Sequence, residues 1–308
     1  MITPDNPYFQ QVRLLVIVLP YVAAERCFAL KGGTAINLFV RDMPRLSVDI
    51  DLAYVPLSDR QSALREIDAA MMRIKGILES GSPAYGVRVS KRVDGCAYGL
   101  IVRNSLAEIK IEVTPVLRGS VYSETDLRIV PNAEKAFGFA ETPALSFENI
   151  YAGKLVAALD RQHPRDLFDV AQLLENEGVS DRLFKAFLVY LISHDGSLAR
   201  LINPAYKPLG DLYEKQFKGM TVEPVTVDYL EKARQDLISV IHSMLDDGAK
   251  RFLVSFKKMN PDWGLLGVPH AKDLPAVQWK LRNLGQMSPD KHADAVGKLE
   301  DVLSRIDG

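Results

Sequence analysis

The sequence predicts an α+β protein: a mixed, mostly antiparallel sheet with helices over residues 1–146, then a mainly helical lobe over residues 147–308. Three observations predict it. Apolar residues alternate with period two in three consecutive stretches between Tyr85 and Thr114, as half-buried strands do. Asp94-Gly95 separates the first two stretches, a strong hairpin signal. After Glu148 the pattern becomes almost entirely that of amphipathic helices.

The elements follow in order. Residues 8–25 read as a first helix. Phe28-Ala29-Leu30 is a short extended piece, ended by Lys31-Gly32-Gly33. Thr34 is a good N-cap for a helix over Ala35–Val40, broken at Met43-Pro44-Arg45. Ser47–Val55 alternates as a strand, and Ser58 caps a helix over about 59–79. The hairpin strands are Tyr85–Val93 and Ala97–Arg103, and Ala107–Thr114 is a third strand stopped by Pro115. A loop-rich segment follows, with a short strand near 127–130. The second lobe opens with a helix over Phe147–Leu159. Pro164 suits the first turn of the next helix, which runs to about Asn176. Further helices fit 180–193, 228–246 and 294–306. The stretches 203–224 and 259–275, rich in Pro and Gly, read as a connection and a long loop.

Composition excludes several classes. The 308 residues are 47% apolar and 25% charged, ordinary for a globular protein and enough for two domains. The net charge is −1, so no basic excess announces nucleic acid. Two isolated cysteines, Cys27 and Cys96, and five scattered histidines argue against zinc and against a disulfide framework. The longest apolar run, Leu14–Ala24, contains Pro20 and lacks a positively charged n-region before it. It is too short to span a membrane and reads as a core helix. A cytoplasmic protein without a membrane association is expected.

Chemistry concentrates in Lys31-Gly32-Gly33-Thr34 and Arg45-Leu46-Ser47-Val48-Asp49-Ile50-Asp51. A Gly-Gly turn opening a helix offers free backbone N–H groups and close backbone approach to a phosphate. Asp49 and Asp51, at i and i+2 on a strand, share one face. Their mutual repulsion is relieved by a divalent cation, and Mg²⁺ suits one or two carboxylates plus phosphate oxygens. A lone Asp-x-Asp or a lone Gly-Gly is a weak signal, but the order strand, Gly-Gly, helix, strand, Asp-x-Asp is informative. Glu112 alternates with Ile111 and Val113. Beside the Asp49/Asp51 strand it completes a three-carboxylate, two-metal set; otherwise it is a surface residue in an ion pair. In the second lobe, Lys154 lies on a helix and Arg165-Asp166-Leu167-Phe168-Asp169 opens the next. Asp166 and Asp169 either serve the site or clasp the two helices through Lys154 or Arg161.

These residues resemble the DNA polymerase β-like nucleotidyltransferases. More closely, KGGTAINLF, RLSVDIDL and the Lys154…Arg165-Asp166…Asp169 block resemble the AbiEii/AbiGii toxin family, the nucleotidyltransferase toxins of type IV toxin–antitoxin systems. The resemblance covers roughly residues 25–175, with a weaker echo at Val277–Asn283. It implies a polymerase β-like palm followed by a helical lobe that completes the active-site cleft. It implies that Lys31, Gly32, Gly33, Thr34, Arg45, Ser47 and Lys154 bind the nucleotide, and that Asp49, Asp51 and Glu112 hold two Mg²⁺. Lys154 would contact phosphate, and Asp166 would orient it or the neighbouring basic groups. Glu112 departs from the aspartate that many polymerase β-like enzymes carry. The implied reaction moves a nucleoside monophosphate from an NTP to an acceptor, the 3′ end of tRNA, in a phage-defence toxin with a cognate antitoxin. Two ions about 3.5–4 Å apart would serve such a transfer.

Other readings stay open. A metal-dependent glycosyltransferase also uses Asp-x-Asp, but calls for a parallel, doubly wound sheet before it. A non-catalytic nucleotide-binding or interaction module would retain the fold alone. Arg88, Lys91 and Arg92 on the hairpin, with Tyr85 or Tyr98 for stacking, are either a nucleic-acid patch or an ordinary solvated face.

Overall fold

A computed structural model describes residues 6–81, 83 and 85–307. The chain forms two compact units. The first comprises Met1–Ile150 and Phe217–Pro224, the second Tyr151–Gln216 and Val225–Gly308. The first division lies four residues beyond the expected boundary at 146/147. The segment 217–224, expected within the helical lobe, belongs instead to the first unit.

In the first unit, α1 (Phe9–Ala23) is the apolar run, with Val12, Leu14, Leu15, Val18, Leu19 and Val22 buried. No helix among the described residues is long and apolar enough to cross a membrane. Strand β1 (Phe28–Lys31) leads into α2 (Gly32–Ala35), which continues as a π-helical turn over Ile36–Val40. Strand β2 (Asp49–Tyr54) precedes α3 (Arg60–Ser80). The cap of α3 is Asp59 rather than Ser58: its carboxylate accepts the Gln61 and Ser62 N–H groups at 2.9 and 3.0 Å. The hairpin strands are β3 (Gly86–Val93) and β4 (Cys96–Arg103), and β5 is Glu108–Arg118. Strand β5 runs through Pro115, past the expected stop. The short strand expected near 127–130 is β6 (Thr125–Arg128). It pairs with β7 (Glu141–Ala144), across an intervening α4 (Pro131–Phe137).

The seven strands make one mixed sheet in the order β3-β4-β5-β2-β1-β7-β6. Four neighbouring pairs are antiparallel, and β2–β5 and β1–β7 are parallel. Ile50 and Leu52 of β2, and Ile109, Ile111 and Val113 of β5, are buried, so their alternate partners share the opposite face. Segment 217–224 buttresses the entry to β2. The Leu46 N–H donates to the Met220 carbonyl at 2.8 Å, and the Val222 N–H to that of Pro44 at 2.9 Å. Arg45 and Thr221 form an antiparallel bridge.

The second unit is helical. Helix α5 (Phe147–Arg161) enters it from the first unit and is followed by α6 (Pro164–Asn176) and α7 (Asp181–Ser193). Next come α8 (Leu198–Ile202), α9 (Gly210–Gln216) and α10 (Val227–Met244). The unit ends with α11 (Asp247–Lys257), α12 (Trp263–Leu266), α13 (Pro275–Gly285) and α14 (Pro289–Ser304). The stretch read as a long loop, 259–275, is therefore broken by α12 and a 3₁₀ turn at Pro269–Asp273. Buried polar groups tie this unit together. The Gln162 amide donates to the Ala205 carbonyl and accepts from the Lys207 N–H and Arg234. Lys280 donates to the carbonyls of His194, Asp195 and Gly196.

Candidate active site

The expected site residues fall into two groups, one in each unit. In the first, Gly32 has φ +73° and lies directly against Asp51. A Cβ on Gly32 would sit 2.6 Å from Asp51 Oδ2, so glycine is required both for the backbone and for the carboxylate's approach. Lys31, not Thr34, stands at the N-cap of α2 in extended conformation. Thr34 is inside the first turn, because its hydroxyl has a better partner. It donates to the Asp49 carbonyl at 2.5 Å and lies 3.1 Å from Ser47 Oγ. That contact pins the turn to the start of β2.

Arg45 and Ser47 pack on the other glycine, Gly33. Both are buried, and the Arg45 guanidinium also donates to the Leu46 carbonyl at 2.8 Å. The Asn37 amide donates to the Gly33 carbonyl at 2.9 Å. Arg45, Ser47 and Asn37 therefore shape the turn from beneath; sequence reasoning missed Asn37, whose i+4 spacing from Gly33 was the available signal.

Asp49 and Asp51 are both half-buried on one face of β2. The parallel pairing of β2 with β5 sets Asp49 beside Lys110 and Asp51 beside Glu112. Glu112 thus stands next to Asp51 of the acid pair. Its carboxylate, however, is engaged by Lys91 of β3, with Nζ 2.8 Å from Oε2. Lys91 is held protonated above the usual lysine range chiefly by this hydrogen bond, with a contribution from Asp51. Of the basic residues on the hairpin, then, Lys91 is committed to a carboxylate, while Arg92 donates to the Gly95 carbonyl of its own turn.

Among the described residues, no three His, Cys, Asp or Glu side chains converge closely enough to share an ion. The donor chemistry nevertheless fits a hard divalent cation. Asp49 and Asp51 project from one strand face, Glu112 is in register with Asp51, and the Cβ-less Gly32 leaves the Asp51 carboxylate against open backbone.

In the second unit, Lys154, Asp166 and Asp169 are buried together. Lys154 Nζ lies 2.8 Å from Asp166 Oδ1 and 3.0 Å from Asp169 Oδ2. Arg161 closes on Asp166 Oδ2 at 2.7 Å. Burial alone would raise the Asp166 carboxyl; Lys154 and Arg161 outweigh it and hold the group down at about 2. Pro164 occupies the first turn of α6 as expected, and the cap is His163, whose Nδ1 accepts the Arg165 N–H. Burial lowers the His163 pKa, which favours the neutral ring that capping needs. The α5–α6 clasp foreseen as one alternative is thus present as direct ion pairs.

Among curated proteins no match is found. The solved structure of MenT4, a nucleotidyltransferase toxin from Mycobacterium tuberculosis H37Rv, superposes with a TM-score of 0.62 over 92% of this chain and 95% of that one, at 16% identity. That likeness shows a shared fold. The family described as nucleotidyl transferase AbiEii toxin, type IV TA system, matches residues 13–283, a span that takes in the Gly-Gly turn, the Asp-x-Asp strand and the Lys154–Asp169 block alike. The chain belongs to the AbiEii family of nucleotidyltransferase toxins of type IV toxin–antitoxin systems.

Proposed function

We propose that the chain transfers a nucleoside monophosphate from an NTP to the 3′ end of tRNA in the cytoplasm, releasing pyrophosphate, and that a cognate antitoxin restrains it in a phage-defence role. The observation that carries the reading is the Gly32–Asp51 contact: the Gly-Gly turn and the acid pair meet within one small volume. Phosphoryl transfer depends on positioning and charge neutralisation more than on covalent participation by the protein. In this reading Asp49 and Asp51, with Glu112, hold two Mg²⁺. The ions supply charge neutralisation and a lowered pKa for the attacking hydroxyl.

The remaining parts belong to the protein. The Gly32–Gly33 turn offers backbone N–H groups to phosphate, with Lys31 at its mouth. Thr34, Ser47, Arg45 and Asn37 keep that turn fixed against β2. Lys154 would contact phosphate, and its 2.8 Å contact with Asp166 supports Asp166 as the residue that orients it. The glycosyltransferase alternative loses its structural premise, since the strand before β2 is the antiparallel β1.

The test is a transfer assay with the purified chain, Mg²⁺, each α-labelled NTP separately and deacylated total tRNA, beside Asp49→Ala and Asp51→Ala. Label on tRNA with one NTP, lost in both variants, is the expected outcome. NTP binding with no label on any RNA would overturn the tRNA acceptor and favour a different acceptor or the binding-only alternative.

A further inference from the structure

One row of residues crosses the sheet at the site: Lys91 on β3, Gly99 on β4, Glu112 on β5, Asp51 on β2 and Lys31 on β1. Neighbouring strands lie about 4.8 Å apart, so Asp51 and Glu112 are adjacent like charges. Lys91 starts two strands away from Glu112, about 10 Å by the same spacing, yet its ammonium reaches the carboxylate at 2.8 Å. The strand between them carries no side chain in this row. A Cβ on Gly99 would lie 2.7 Å from Ser90 Oγ and 3.2 Å from Lys91 Cβ. Strand β3 shifts register on both sides of Lys91, which re-aims that side chain as bulges do. An interior strand glycine and a bulge, both at the same row, are the features expected where one side chain must cross a neighbouring strand.

We propose that Lys91 is a resident counter-ion of the carboxylate face: it holds Glu112 until a divalent cation competes for it, and so lowers the affinity of the Asp49–Asp51–Glu112 set for that cation. The inference rests on the metal-binding reading of this face given above. Lys91 is a positioning residue that acts through Glu112. Without a cation, its charge offsets the repulsion between Asp51 and Glu112. When a cation binds, Glu112 exchanges the ammonium for the ion.

The experiment is direct Mn²⁺ binding to the full-length chain without nucleotide, read by the electron paramagnetic resonance of free Mn²⁺. Lys91→Met is expected to tighten binding about fivefold, the worth of a partly exposed ion pair. Arg88→Met, which removes an exposed charge from the same strand, controls for the general field and is expected to change it less than about twofold. In a Glu112→Gln background Lys91→Met should give no further gain, because the two residues act as one unit. Circular dichroism checks that each variant folds, and Lys91→Arg, which keeps the charge, should bind close to the parent. Unchanged or weaker binding by Lys91→Met, an equal gain from Arg88→Met, or a full gain without Glu112 would each overturn the proposal. Asp51→Asn separates the levels. If it abolishes Mn²⁺ binding while Lys91→Met does nothing, only the counter-ion fails; if Asp51→Asn leaves binding intact, the metal-binding reading fails and the counter-ion with it.

Discussion

Each unit of this protein holds a lysine–carboxylate ion pair with a second carboxylate beside it, and the two arrangements differ in how much water reaches them. On the sheet, Lys91 serves Glu112 beside Asp51, with the Lys91 and Glu112 side chains 45% and 28% exposed. Between α5 and α6, Lys154 serves Asp166 and Asp169 at 7%, 3% and 1%. Arg161, from the solvent side, adds a second positive charge at Asp166. Buried charge is tolerable only when paired, and both carboxylates of the α5–α6 cluster are paired with Lys154. Half-exposed like charges are screened by solvent, so Asp51 and Glu112 can stand side by side on the sheet. Partners on the sheet are open to exchange with solvent ions, whereas Lys154 is packed against both Asp166 and Asp169 out of water.

The largest expected effect therefore lies away from the acid pair. Lys154→Met removes the ammonium that meets both buried carboxylates, and should cost about 3–5 kcal/mol in urea unfolding. Asp51→Asn should change stability by less than about 0.5 kcal/mol while abolishing transfer. Equal costs from the two substitutions would erase the contrast.

Acid sharpens it next. Asp166 is held at about 2 against an ordinary 3.8. A depressed carboxylate stabilises the fold above its unfolded pKa, and that contribution is lost as pH falls through the folded value. The window is thus about pH 4 down to pH 2, and the amount about 2 kcal/mol. Measured between pH 5 and 2, the unfolding free energy of Asp166→Asn should start lower and fall less steeply than the parent's. Parallel slopes would mean that Lys154 and Arg161 do not hold the carboxylate as the geometry indicates.

Two glycines of like conformation supply a third test. Gly32 and Gly178 have φ of +73° and +69°, but only Gly32 faces a side chain; at Gly178 an added Cβ meets nothing within 4 Å. Alanine at either should cost about 1–2 kcal/mol for the left-handed backbone. Gly32→Ala should also displace the Asp51 carboxylate and abolish transfer, whereas Gly178→Ala should leave kcat unchanged. Retained transfer in Gly32→Ala would separate the turn from the acid pair and remove the observation on which the functional reading rests.

Local pattern made the sheet face legible and left the long-range partners hidden. Alternation put Asp49 with Asp51 and Glu112 opposite Ile111, and the Asp94-Gly95 turn located the hairpin; the observed strands agree. These readings depend on residues a few positions apart. The brace of Met220 and Val222 on Pro44–Leu46 joins residues more than 170 positions apart, and no periodicity encodes it. Strand β7 was missed because Glu141–Ala144 is four residues long and contains Pro143, which demotes a strand in any sequence reading. Thr34 misled as a cap because its hydroxyl finds the Asp49 carbonyl across the turn, a tertiary partner that outcompetes the local one. The Lys91–Glu112 pair needed the register of three strands; Gly99 in mid-strand was the only local hint.

The smallest expected effect returns to that pair. Glu112→Gln severs an ion pair as short as the Lys154–Asp166 one, 2.8 Å in both. If distance set the energy, the two losses would match. Solvent sets it instead: a partly exposed pair contributes about 0–1 kcal/mol, and the neutral glutamine also relieves repulsion with Asp51, which works against the loss. Urea unfolding of Glu112→Gln should therefore show a change below about 1 kcal/mol, shrinking further as salt shortens the range of exposed charges. The Lys154→Met cost should barely respond to salt, since ions do not enter the buried cluster. A salt-insensitive loss of several kcal/mol from Glu112→Gln would make the β3–β5 pair a second structural clasp, and Glu112 would then be unavailable to any ion that Asp49 and Asp51 attract.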